Sequence, residues 1–128
     1  MPHLVHTFLE QVHQGFWNST AFDAHAGHLL MAGMSTMARP SSSSPNNVDD
    51  HQSPPTVLFP EYSTSYSHDK YTIAFPSSQT VSTQDFYINL QPNAIHHPSQ
   101  LDETQEVYVD GEPCFGEITD ESSRRVVD

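Results

Sequence analysis

The sequence is short of positive charge, of cysteine and of glycine, and each shortage closes off a class of function. Four lysines and arginines stand against 16 acidic residues in 128, a formal charge of −12. Such a chain repels phosphate backbones and anionic lipid surfaces, which argues against nucleic-acid and membrane-surface partners. Its nine histidines would offset part of that charge below about pH 6. The lone cysteine, Cys114, permits no intrachain disulfide and lies in an apolar run, where a buried, inert thiol is expected. No stretch approaches the ~20 apolar residues of a membrane span. The N-terminus has neither a basic region nor a long apolar one, so it does not read as a signal peptide. The few glycines form no phosphate-cradling loop, and neither a Gly-x-Ser-x-Gly elbow nor a His-Glu-x-x-His zinc signature is present.

Hydrophobic residues make up 35% of the chain and prolines number ten, which predicts one domain over residues 1–128 with a small core and much loop. Residues 39–55, with Ser41-Ser42-Ser43-Ser44-Pro45 and Asp49-Asp50, have almost nothing to bury and read as a flexible insertion. His25 and His28 lie three apart and His96-His97 are adjacent. A zinc site needs three or four convergent ligands, so scattered exposed histidines without a metal are expected. Asn18-Ser19-Thr20 is a glycosylation sequon that would permit a secretory compartment, although one sequon assigns no location.

The clearest periodic stretch is Gln84–Leu90, where Phe86, Ile88 and Leu90 alternate with Asp85, Tyr87 and Asn89. It predicts a strand with one buried face. Pro113–Ile118 is a second short strand expected to pack near it. Leu29–Gly33 and Tyr71–Phe75 read as further strands, and Thr56–Phe59 as a return to order. Val107 and Val109 are candidate edge-strand residues. Residues 3–16 predict a helix whose apolar face holds Leu4, Val5, Phe8, Leu9, Val12 and Phe16. Gln11 falls on its wet side, and Gly15 is its terminator. Val126-Val127 looks like the start of a further element.

Four blocks in order carry a resemblance. Gly15-Phe16-Trp17-Asn18-Ser19-Thr20-Ala21-Phe22 follows the helix. Leu29-Leu30-Met31-Ala32-Gly33 comes next, then Tyr71–Phe75 with Asp85–Ile88, then Cys114-Phe115-Gly116-Glu117-Ile118. Together they resemble a divergent cyclophilin-type peptidyl-prolyl cis–trans isomerase domain. The resemblance implies a mainly β fold, a closed antiparallel β-barrel capped by helices, of which this chain would be the middle part. Further strands would lie upstream, and a helix and strand beyond Asp128.

Prolyl isomerisation needs neither nucleophile nor cofactor. The obstacle is the partial double bond of the amide, and a catalyst must favour the twisted form over both planar ones. By resemblance the family supplies an arginine and a glutamine for this, and here those positions hold Ala24 and Ala32 (Met31 if the register shifts by one). The implied proline pocket holds Leu29, Leu30, Asp85 and Tyr87. Pro76–Ser82 replaces the family's glycine-rich loop without a glycine. The apolar half of the site is thus kept and its polar half lost, so no catalytic residue is assigned and isomerase activity is expected to be weak or absent. The expected partners are proline-containing segments of client proteins. The competing expectation is a non-catalytic module, either peptide-binding or structural, in which Leu29, Leu30 and Tyr87 are ordinary core.

Overall fold

The structure is a computed structural model, and it describes residues 2–18, 20–25, 27–33, 61, 65–78, 80–81, 84–93 and 112–128. The expected insertion at 39–55, the run Thr56–Phe59, His96-His97, and Val107 and Val109 lie outside the described residues.

Helix α1 spans Pro2–His13. Proline suits a first turn, whose N–H groups have no helical acceptor. The Leu4 N–H there finds Glu61 Oε2 at 2.9 Å, and His3 Nδ1 lies 3.0 Å from Oε1 of the same carboxylate. Burial works to raise the Glu61 carboxyl, but the bonds from His3 and Leu4 outweigh it and hold the group below its usual range. At the other end Gly15 takes φ +71°, as expected of the terminator. The Phe16 N–H bonds Gln11 O at 2.9 Å and the Gly15 N–H bonds Val12 O at 3.0 Å, a Schellman close.

The helix is rotated from the face its spacing suggested. Leu4, Thr7 and Gln11 are buried, while Val5, Leu9 and Val12 are 37%, 58% and 50% exposed. Phe8 sets the rotation. Its ring lies 5.3 Å from Phe86, 5.0 Å from Phe115 and 6.2 Å from both Trp17 and Phe75. Aromatic packing at these separations outweighs the gain from burying the three aliphatics, and Gln11 is carried inside with it.

The strands are β1 (Phe22–His25), β2 (Leu29–Gly33), β3 (Thr72–Ala74), β4 (Ser77–Ser78), β5 (Thr80–Val81), β6 (Asp85–Asn89) and β7 (Cys114–Glu117). Five of them form one antiparallel sheet in the order β1-β2-β6-β3-β7, and β4 pairs with β5. The architecture is therefore mainly antiparallel sheet with two helices. The Cys114 strand joins the sheet as expected, but β3 stands between it and β6. A second correction concerns β6 itself. Phe86, Tyr87, Ile88 and Asn89 are all buried, so both faces are covered rather than one.

Register divides the sheet into two faces. Leu30, Ile88 and Ile73 form one cross-strand row, and Phe22, Ala32 and Phe86 another. These rows meet α1 in a core built on Leu4, Ala32, Phe75, Phe86 and Ile88. The alternate row, Met31–Tyr87–Ala74–Cys114, lies on the opposite face, with Leu29 in the same cluster. Gly33, at φ +147°, ends β2 where a Cβ would come within 2.4 Å of the Gln84 carbonyl, so only glycine fits there.

Where the sequence suggested only the start of an element, Glu121–Val127 forms α2. Asp120 caps it by accepting from the Ser123 N–H at 2.8 Å and the Ser122 hydroxyl at 2.6 Å. The helix is tied to Tyr71, an αL residue at φ +72°. The Tyr71 hydroxyl donates to Asp128, and its ring lies under both Lys70 and Arg124.

Two outcomes are expected. Leu4→Ala should cost about 2–5 kcal/mol in urea unfolding, whereas Leu9→Ala, removing a half-solvated side chain, should cost a small fraction of that. Hydrogen bonds from Ser122 and then Ser123 hold Asp120 down from 3.8 to about 2. A depressed carboxyl stabilises the fold fully above its unfolded value and loses that effect as pH falls through its folded value. Helical shifts of residues 121–127 should therefore fade between pH 3.8 and about 2, and Asp120→Ala should weaken them already at neutral pH.

Candidate functional site

The sheet's second face holds Leu29 and Tyr87 of the candidate pocket together with an unexpected polar cluster. Leu29 is 3% and Tyr87 1% exposed, and both pack with Ala74, Cys114 and Met31. Leu30 is half-buried against the other core, on the α1 side. Asp85 pairs with Gly33 at the end of β6. The structure thus brings Leu29 and Tyr87 together, places Leu30 on the opposite face and sets Asp85 at the strand's edge. Ala24 pairs with Leu30 in the register of β1 and β2, and Ala32 pairs with Phe22 and Phe86. Ala32 is 1% exposed inside the aromatic core.

Around Tyr87 lies a cluster that the sequence did not disclose: His68, Thr72, Asn89 and Asn93, all buried. Donors and acceptors form a single directional scheme. Asn93 Nδ2 donates to His28 O at 3.1 Å and to Asn89 Oδ1 at 2.7 Å. Asn89 Nδ2 donates to Thr72 Oγ1 at 2.9 Å and approaches His68 Nδ1 at 3.3 Å. Thr72 passes its hydroxyl hydrogen to Asp69 O at 2.7 Å. His68 Nε2 lies 3.0 Å from the Glu112 carbonyl, which can only accept. The partners therefore assign the hydrogen to Nε2 and leave Nδ1 as acceptor. The Tyr87 hydroxyl donates to the Glu112 carboxylate. The cluster ties the loop before β3, the residues after β6 and the entry to β7 onto one strand. His68, fully buried, corrects the expectation that the histidines are all exposed. A sequence signal did exist: Asn89 occupies the same alternation as Tyr87, so a buried Tyr87 carries a buried amide with it.

Burial, reinforced by the Glu112 carboxylate, drives the Tyr87 phenol far above its usual value. Burial likewise raises the Cys114 thiol, so this buried cysteine is a poor nucleophile, as expected of it. Lysine and arginine among the described residues are Lys70, Arg124 and Arg125. Lys70 pairs with Asp128 at 2.8 Å and Arg124 with Glu117 at 3.1 Å, both engaged around α2 rather than beside Leu29 or Tyr87. Among the described residues no group of three His, Cys, Asp or Glu is placed to share a metal ion, and no helix is long and apolar enough to cross a membrane.

An antiparallel sheet of this order, a helix packed on its aromatic face and the four ordered sequence blocks converge on one comparison. The family model for cyclophilin type peptidyl-prolyl cis-trans isomerase/CLD matches residues 1–128. The chain belongs to the cyclophilin-type family. No curated protein matches it. Cyclophilin domains bind proline-containing peptides.

Tyr87→Phe should leave the alkaline phenol titration of the folded protein unchanged between pH 9 and 11, about one unit either side of the ordinary value, because Tyr87 does not ionise there. A raised phenol stabilises the fold below its unfolded value and ceases to as pH climbs past it. Wild-type stability should accordingly fall above about pH 10, and less steeply in Tyr87→Phe. At neutral pH the same substitution should cost about 1–3 kcal/mol by leaving Glu112 short of a donor.

Proposed function

We propose that this cyclophilin-type domain has weak or no prolyl isomerase activity, and that residues 1–128 act as a single domain. The observation that carries this is the pair of alanines at the positions where, by family resemblance, arginine and glutamine polarise the twisting amide. Ala32 is 1% exposed in the core built on Leu4, Phe75, Phe86 and Ile88, where an amide side chain would be cut off from water. Loss of one preorganised donor commonly lowers a rate by about 10²–10³-fold. Uncatalysed Xaa-Pro exchange already takes tens to hundreds of seconds, so such a loss brings catalysis close to the background.

A second reading is a non-catalytic module that binds proline segments of client proteins or serves only as packing, and the enclosure of Leu29 and Tyr87 favours packing. A peptide needs exposed surface, and these two side chains offer almost none. Leu30 and Asp85 are only half-buried and remain the candidate contacts.

Two-dimensional exchange spectroscopy on a Xaa-Pro peptide tests both. The wild-type chain should give no cis–trans exchange peaks above background, and Ala24→Arg should raise the rate by up to about 10²-fold if the apolar pocket is intact. Strong exchange peaks with the wild-type chain would overturn the proposal. Without exchange, peptide-induced shifts at Leu30 and Asp85 mark a binding module, and their absence marks a packing unit.

A further inference from the structure

The rotation of α1 leaves an apolar surface with no role in the proline site. A cavity of about 500 Å³ is lined by Pro2, Val5, His6, Leu9, Tyr66 and Phe115. A neighbouring cavity of about 290 Å³ shares Tyr66 and Phe115 and continues past Ser67, Asp69 and Thr72 to Glu117. The two share an aromatic wall but differ in character. The first is aliphatic, with Val5 and Leu9 one helical turn apart. The second is polar and carries two carboxylates. Among the described residues no lysine or arginine lines either half.

We propose that this bipartite groove docks a segment of another protein that combines aliphatic anchors with lysine or arginine. Apolar side chains would seat between Val5, Leu9 and Phe115, with Tyr66, 57% exposed, closing over them. Cations would lie along Asp69 and Glu117. Charge selects this occupant. The chain carries −12, so a second copy meets like charge, and an acidic partner meets Asp69 and Glu117 as it enters. Glu117 already pairs with Arg124 at 3.1 Å, so an incoming cation shares or displaces that guanidinium, and Asp69 supplies the second carboxylate. Volumes of this size suit a few anchoring side chains, and a hydrophobic centre beside a charged rim is the ordinary anatomy of a peptide interface.

The test uses the whole chain and a labelled synthetic peptide of alternating leucine and lysine pairs, with its leucine–glutamate counterpart as control. Binding is measured at about pH 7.5. Fluorescence anisotropy should give saturable binding of the lysine peptide, weakened at least about tenfold by Leu9→Asp and more modestly by Asp69→Asn, with amide shifts at Val5, Leu9, Tyr66 and Phe115. Both substitutions are at exposed positions and leave the core intact, and Val5→Ser provides a second, uncharged check on the apolar half. Binding that is unchanged in these variants, equal for the glutamate peptide, or absent would overturn the proposal. So would sedimentation showing that the chain self-associates through Leu9. Neither Leu9 nor Asp69 is a candidate proline contact, so the outcome is independent of the isomerase measurement.

Discussion

Four successive residues of β6 are closed off from water, and the rest of the structure answers the two demands this makes. On one face Phe86 and Ile88 need apolar cover, which α1, Phe75 and Phe115 provide through a continuous set of ring contacts. On the other, Tyr87 and Asn89 carry polar groups that cannot be left unpaired in a dry interior. They recruit His68, Thr72, Asn93 and Glu112 from three separate stretches. Strand β6 is therefore both the hydrophobic centre of the sheet and the anchor of its loops. A change at Asn89 would be felt from His28 to Glu112, because one amide mediates the whole scheme.

Much of this arrangement was legible in the sequence, and the places where it was not share a cause. The strand at Asp85–Asn89 stands where alternation and β-branched or aromatic content put it, those at Leu29–Gly33 and Cys114–Glu117 stand where short apolar runs put them, and the close of α1 at Gly15 follows from its need for φ > 0. Those features are local. The face of α1 is not local. Spacing alone weighs Val5, Leu9 and Val12 equally with Leu4 and Phe8, and only the aromatic neighbours from β6 and β7 break the tie. The polar cluster is hidden for the same reason, since His68 and Asn93 lie outside the periodic stretches and are buried by what packs over them. Helix α2 was missed because seven residues carry little periodic signal, and its start rests on the single side chain of Asp120.

For the proline site, family resemblance and geometry answer different questions. The four blocks named the family and the two alanines that depart from it. They could not tell that the candidate contacts fall on two faces of the sheet, because adjacent residues of a strand point in opposite directions. Leu29 and Leu30, neighbours in the chain, end in separate cores. Tyr87 is enclosed, with its phenol committed to Glu112.

The fastening of α2 has a consequence for how the molecule opens. None of the helix's seven residues is fully buried; Val127 is its one apolar contact with the core, and its other ties to the body are polar: Arg124 to Ile118 O, Tyr71 and Lys70 to Asp128, and Arg124 against the Tyr71 ring. A segment held this way has little apolar surface to lose, so it can detach at a free-energy cost well below that of global unfolding. Detachment would also release Tyr71 from a backbone conformation that non-glycine residues adopt at a cost. The C-terminal turn and residue 71 thus form one small cooperative unit, whose amides should exchange with solvent together, ahead of those in β6.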